Sequence, residues 1–335
     1  MKRAGNLMGA IASVDNLRLA FWKAARGKRA KADCRRFAAD LEANLERLAT
    51  ELLSGCVQVG DYHYFRIHDP KERLICAASF RERVLHHAVM NLCEPVLERA
   101  AIDDSYACRK LKGGLAAAAR AQQFAGRYGW FLKMDVRKYF DSVDHEVLER
   151  LLQRRFKDRA VLGVFRQVVD SYGTAPGRGL PIGNLTSQHF ANFYLGPLDR
   201  FVKERLQRRA YVRYMDDFVI WGHGRGELRE ALDRVRDFLA AVLRLDLKSN
   251  ASLNRTALGM DFLGYRVFPN RLRLARRSKV RFARKFRRYE RAWAVGQWTE
   301  LQLQQRMTAL AAFLLPTDSR QCREHVIERF GVAAM

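Results

Sequence analysis

Residues 211–222 read YVRYMDDFVIWG. Tyr211, Val212 and Tyr214 on one side, and Phe218, Val219, Ile220 and Trp221 on the other, have the β-branched and aromatic content of two strands of a hairpin. A two-residue hairpin turn usually carries Asn-Gly or Asp-Gly, because positive φ is required there. Here the turn falls on Asp216-Asp217, two like charges with no glycine between the strands. Either the pair is a plain solvated turn, since Asp is common in turns, or a neighbouring cation holds the two carboxylates together. Hard dications such as Mg²⁺ suit carboxylate oxygens.

A second acidic strand lies upstream. In GWFLKMDVRKYFDSVDHEVLERLLQRRF (129–156), Phe131, Leu132, Met134 and Val136 make a short apolar strand around Asp135. A carboxylate within a buried strand is costly unless it is paired or metal-bound, so Asp135 either sits solvated at the strand end or has such a partner. Asp144 is placed to cap a helix whose apolar face is Val147, Leu148, Leu151 and Leu152. The stretch 173–202 is Gly- and Pro-rich and then apolar-periodic, a loop feeding a buried helix, and residues 227–243 form an amphipathic helix with Leu228, Leu232, Val235, Leu239 and Val242. The order over 130–268 is strand, helix, helix, strand, strand, helix, strand, a βαββαβ-like arrangement in an α+β chain. In that topology the central strands are neighbours. Asp135 then lies beside the Asp216-Asp217 turn, although 81 residues separate it from Asp216. Two Mg²⁺ ions roughly 3.5–4 Å apart are one way for such clustered carboxylates to serve in-line attack on phosphate.

The chain of 335 residues carries 61 Lys and Arg against 36 Asp and Glu, a formal charge of +25 that points first to a polyanion such as nucleic acid. An anionic membrane surface is the weaker reading. There is no apolar run long enough to span a bilayer. The N-terminal apolar patch is broken by Gly, Ser, Asp and Asn, a poor signal peptide. The six cysteines make no C-x-x-C pair, which disfavours zinc and suits reduced thiols in a cytoplasmic protein. The positive charge concentrates late. In RLRLARRSKVRFARKFRR (271–288), ten of eighteen residues are basic and none is acidic. Such a run is either a solvated helix face or a phosphate-binding surface. Its uncompensated repulsion favours the second, with Arg276, Arg277, Lys279, Arg281, Arg284 and Lys285 as contacts.

The N-terminal part reads as helix over 11–53, a hairpin over YHYFRIHDPKERLICAAS with Pro70 in the turn and Lys71 and Arg73 just past it, then helix over 80–99. The adjacent His86 and His87 point about 100° apart on a helix and read as structural. A final hairpin turns at Pro269-Asn270.

YMDD between apolar strands, with FLKMDVRKYFDSV upstream, resembles the palm of a reverse transcriptase. The resemblance extends through SYACRKLKGG (105–114), LPIGNLTSQHFAN (180–192), LRLDLKSN (243–250) and FLGYRVF (262–268), in the family's order, and covers residues of about 30–270. It implies a right-hand polymerase fold: N-terminal helices and fingers (1–129), a ferredoxin-like palm (130–268, with finger insertions around 150–185) and a short, basic helical thumb (269–335). It implies that Asp135, Asp216 and Asp217, with the Val136 carbonyl, hold two Mg²⁺ ions, with Mn²⁺ as a substitute. Phe140 then lies under the nucleotide sugar, where an aromatic ring excludes a 2′-hydroxyl; otherwise it is ordinary core. Lys71 and Arg73 fall on the dNTP triphosphate, with Arg83 and Arg109 as weaker candidates, and Lys248 near the leaving group unless it is merely solvated.

One block departs from the common pattern. Many family members have Gln-Gly followed by Ser-Pro, whereas this chain has Ile182-Gly183 and then Ser187-Gln188. IGNLTSQ resembles the reverse transcriptases of diversity-generating retroelements, as do the SYACRKLKG block and the short basic C-terminus, after which no maturase or endonuclease domain is expected. Ile182 keeps the volume of Gln but loses a hydrogen bond to the incoming nucleotide, so low fidelity is expected. The resemblance implies errors mainly opposite template adenines, a template-repeat RNA, a DNA or RNA primer, and a basic, oligomeric accessory variability determinant protein. A bacterial or phage-encoded cytoplasmic enzyme is expected. The alternatives are a group II intron-like or defence-associated reverse transcriptase and, remotely, a catalytically silent RNA-binding scaffold.

Overall fold

The structure, a computed structural model, describes residues 2–68 and 72–331. Pro70 and Lys71, assigned above to the first hairpin turn and the triphosphate, lie outside the described residues. The N-terminal segment expected as helix over 11–53 is divided into Met8–Ile11, Val14–Ala25, Ala32–Ala39 and Leu41–Ser54. The last of these buries Leu45, Leu48 and Leu52 and ends on Gly55, whose φ of 73° supplies the left-handed cap that glycine adopts without strain. Strands β1 (Tyr62–His68) and β2 (Glu72–Ala78) form an antiparallel hairpin with Tyr62 opposite Ala78. The helix Phe80–Glu98 follows, capped by Ser79.

The palm sheet joins β3 (Trp130–Asp135), β4 (Tyr211–Tyr214), β5 (Asp217–Gly222) and β6 (Ser252–Arg255) in the spatial order β4-β5-β3-β6, with every neighbouring pair antiparallel. That is the order of a split βαβ unit, as the sequence led us to expect. Helices His145–Gln153, Arg159–Asp170 and Leu185–Tyr194 lie between β3 and β4, and Arg225–Leu243 lies between β5 and β6. Asp144 caps the first of them, its Oδ1 accepting from the Val147 amide at 3.0 Å. Both faces of the sheet are covered. Leu132, Met134, Tyr211, Phe218 and Ile220 enter the main core with the N-terminal helices and Arg225–Leu243. Phe131, Val212, Val219 and Trp221 enter a second core with the helix Gly114–Ala125. Period-two alternation between two apolar layers explains why these strands read as nearly continuous hydrophobic runs. The acidic residues come only where the strands end.

Strands β7 (Met260–Phe262), β8 (Tyr265–Val267) and β9 (Leu272–Leu274) make a separate three-stranded sheet. β8 and β9 are joined through Pro269-Asn270, as expected. The turn between β7 and β8 was not expected. It uses Leu263 and Gly264 at φ 53° and 88°, the doubly positive φ of a type I′ hairpin. The sheet runs past position 269, and three helices, Arg276–Ala294, Glu300–Ala312 and Arg320–Phe330, close the C-terminal part around Leu274, Phe282, Leu314 and Val326.

Candidate active site

The β4–β5 turn differs from expectation by one residue. Its two turn positions are Met215 and Asp216, and Asp217 is already the first residue of β5. Met215 supplies the positive φ, at 56°. The shift matters because it places Asp217 directly opposite Asp135 in the β3–β5 register, so the two side chains share one face. The backbone locks the third acid beside them: the Val136 amide donates to the Asp216 carbonyl at 3.3 Å. Asp135, Asp216 and Asp217 are all half-buried, and the fold brings all three together.

Their electrostatics follow from that crowding. Burial, and next the Asp135 charge, push the Asp216 carboxyl up to about 6. Burial also pushes Asp217 up to about 6, against the lowering pull of Lys133. Two lysines partly offset the negative charge. Lys248 Nζ lies 2.5 Å from Asp135 Oδ1, and its backbone amide donates to the Asp135 carbonyl at 2.9 Å. Lys133 Nζ lies 3.1 Å from Asp217 Oδ2. Lys133 was not singled out from sequence, although the signal was present: two residues before Asp135 in a strand is the same face. A cleft of about 360 Å³ opens beside Asp135, lined by Lys133, Asn250, Ser252, Asn254 and Arg266 among others.

Among the described residues, no three His, Cys, Asp or Glu side chains are gathered into a ready-made metal-ligand set. The donors nevertheless suit a hard dication. Three carboxylates sit at one end of the palm sheet, burial raises two of them to about 6, which disfavours their charge unless a cation is near, and Asp217 Oδ1 is buried without a hydrogen-bond partner.

The other expected residues are distributed around this centre. Val136 is fully buried and bridged to Leu247. Phe140, five residues past Asp135, is half-buried against the main core. The Ile182 carbonyl accepts from the Cys76 amide at 2.8 Å, so the 180–184 loop is stitched to β2. Gly183, at φ 122°, allows that approach: a Cβ there would meet Ile75 Cγ2 at 3.0 Å and the Cys76 carbonyl oxygen at 3.2 Å. Arg73 is exposed on β2. Arg83 donates to the Ala78 carbonyl at 2.9 Å. Arg109 is committed to its own loop, bonding Glu98 at 2.7 Å and the Ser105 carbonyl at 2.6 Å. His86 is buried beside Glu82 at 3.4 Å, the structural placement expected of it.

The basic run occupies the helix Arg276–Ala294 but does not form one face. Arg276, Arg277, Lys279 and Arg284 are exposed to solvent, and Arg277 also joins the half-buried Arg281 and Lys285, spaced four apart, in lining a groove of about 940 Å³ against Glu300–Ala312.

A family model described as reverse transcriptase (RNA-dependent DNA polymerase) matches residues 67–267. This chain belongs to the reverse transcriptase family. Protein YkfC of Escherichia coli K12 is 25% identical over 288 residues, which span 70% of this chain and 74% of that protein. The group II intron-encoded protein LtrA of Lactococcus lactis subsp. cremoris is 25% identical over 157 residues, 44% of this chain but only 26% of LtrA. Among solved structures, apo telomerase from Candida tropicalis, truncated of its C-terminal domain, superposes with a TM-score of 0.51 at 12% identity. The match covers 64% of this chain and 55% of that one. At that identity the likeness speaks for the fold alone, and the fold is that of a right-hand polymerase. No helix among the described residues is long and apolar enough to cross a membrane.

Proposed function

We propose that this reverse transcriptase copies an RNA template into DNA by metal-assisted nucleotidyl transfer at Asp135, Asp216 and Asp217. The observation that carries the reading is the register of β3 and β5, which sets Asp135 opposite Asp217 with Asp216 locked beside them. These carboxylates and the Val136 carbonyl would hold two Mg²⁺ ions, for which Mn²⁺ can substitute. The ions would supply charge neutralisation at the attacked phosphate and activation of the primer hydroxyl. The chain's own groups do the positioning. Lys248, which pairs with Asp135, would meet the negative charge that develops on the leaving pyrophosphate. Lys71 and Arg73 would bind the triphosphate from the hairpin, and Phe140 would exclude the 2′-hydroxyl of rNTPs. Template RNA and primer would run along the basic C-terminal helices, where Arg276, Lys279 and Arg284 stand exposed. Primer extension with Mg²⁺ on an RNA template tests this reading: synthesis by the wild type, lost in Asp216→Asn, is expected, and retained synthesis by that variant would overturn the ligand assignment.

Within the family we assign the chain to the diversity-generating retroelement type, acting in a bacterial or phage-host cytoplasm on a template-repeat RNA with a basic accessory protein. Ile182 supports this assignment. It sits on the loop stitched to β2 and offers no side-chain hydrogen bond to an incoming nucleotide. Error-prone copying, concentrated opposite template adenines, is the expected product. Sequencing cDNA made by the wild type and by Ile182→Gln, with and without the accessory protein, decides it. An unchanged error spectrum would reject the role of Ile182. The likeness to LtrA keeps a second reading in play, a group II intron-type enzyme, for which high fidelity without any accessory protein is the discriminating result.

A further inference from the structure

Arg213 stands two residues before the turn, inside an apolar strand, with only 1% of its surface exposed. All its donors are used. Nε and Nη2 bond the two carboxylate oxygens of fully buried Asp199, each at 2.6 Å, the bidentate geometry peculiar to arginine. Nη2 also reaches Ser105 Oγ at 3.2 Å and the Asn192 carbonyl at 3.1 Å. Nη1 bonds Asn192 Oδ1 at 2.8 Å and the Met215 carbonyl at 3.1 Å. Tyr211 completes the cluster, its hydroxyl donating to Asp199 Oδ1 at 2.7 Å. The backbone joins the same frame: the Tyr106 amide donates to the Arg213 carbonyl at 2.9 Å, and the Arg213 amide donates to the Asp104 carbonyl at 3.0 Å.

A buried ion pair is weak evidence for stability, because its desolvation can cancel its attraction. What the cluster does achieve is registration. It ties the 104–107 loop, the helical segment carrying Asn192 and Asp199, and the β4–β5 turn to one guanidinium. The turn needs such an anchor, because Met215 is a non-glycine residue in the left-handed region. Both turn carbonyls are held, that of Asp216 by the Val136 amide of β3 and that of Met215 by Arg213. We propose that Arg213 is a positioning residue: from its buried frame it fixes the Met215 carbonyl and thereby the direction in which Asp216 and Asp217 face Asp135. This rests on the polymerase reading above.

Three variants test it. Arg213→Lys keeps a charge for Asp199, but a single ammonium cannot also reach Asn192 and Met215. Asn192→Leu leaves the ion pair intact and removes the side-chain acceptor that steers Nη1. The double variant Arg213→Met with Asp199→Leu replaces the pair by apolar side chains. For each variant that retains a cooperative melting transition, single-turnover primer extension gives kcat and the dNTP KM. Mn²⁺ titration followed by electron paramagnetic resonance gives ion affinity without catalysis. We expect kcat to fall roughly 100-fold in Arg213→Lys, the scale of loss from an ångström-sized misplacement. It should fall roughly 10-fold in Asn192→Leu, with KM for dNTP nearly unchanged and Mn²⁺ bound more weakly in both. Wild-type kcat and Mn²⁺ affinity in folded Arg213→Lys, Asn192→Leu or the double variant would overturn the proposal and leave Arg213 a purely structural group. If the wild type itself extends no primer, the polymerase reading fails, and the Mn²⁺ affinities alone then decide the role of Arg213.

Discussion

Replacing Asp216 by Asn should remove catalysis and yet make the metal-free protein more stable near neutral pH. The Asp216 carboxyl ordinarily titrates near 3.8 and is pushed up to about 6 by burial and by Asp135. A shift of that size corresponds to about 3 kcal/mol at roughly 1.4 kcal/mol per pH unit. Sharing of protons with Asp135 and the half-buried setting reduce this to about 1–3 kcal/mol. The sign follows from proton binding. Between the unfolded and folded pKa values the folded state holds the extra proton, so this contribution to stability is fully present below about pH 4 and is lost as pH rises through 6. Asn carries no charge to desolvate and escapes that loss. For a chain of this length, about 1–3 kcal/mol corresponds to a melting shift of about 2–4 °C. The assay is a melting curve in EDTA at pH 3.5 and pH 7.5. Asp216→Asn should match the wild type at the lower pH and melt about 2–4 °C higher at the upper. Added Mg²⁺ should then raise the wild type more than the variant, since an ion that binds only the folded state stabilises by mass action. A variant that melts below the wild type at pH 7.5, or a gap that does not widen with pH, would refute the claim that Asp216 is held ionised at a cost.

Gly183→Ala should destabilise by about 1–3 kcal/mol, because φ of 122° is closed to alanine and its methyl would press on Ile75 and the Cys76 carbonyl; chemical denaturation measures it. Phe140→Ala should admit the 2′-hydroxyl and lower discrimination between dNTPs and rNTPs at least ~10-fold, read as a ratio of kcat/KM values. Removing the exposed charges Arg276, Lys279 and Arg284 together should weaken template–primer binding evenly across sequences and flatten the dependence of log Kd on log salt by about 2. An unaltered slope would place the nucleic acid elsewhere.

Much of this was legible in the sequence. The strand character of 130–135 and 211–222, the Asp144 cap and the hairpin of 62–78 follow from local propensity, capping and alternation, all encoded within a few residues. The six ordered motif blocks gave the family. The turn placement was missed by one residue, because Asp-Asp reads as turn chemistry while the left-handed position falls on Met215, a residue type that announces nothing. The Leu263-Gly264 turn was hidden for the same reason. The basic run at 271–288 revealed its charge but not its division between the solvent side and the groove side, which depends on where the next helix packs.

Sequence by itself determined which residue types were available: three aspartates at strand ends, an arginine inside an apolar strand, and a lysine two positions before Asp135. Only the tertiary structure decided what they do to one another. The register that sets Asp135 opposite Asp217, the burial that lifts two carboxyls to about 6, and the frame of Asp199, Asn192 and Ser105 around Arg213 all join residues far apart in the chain. Electrostatic energies depend on distance and on the surrounding dielectric, and neither is defined until the chain has closed those loops.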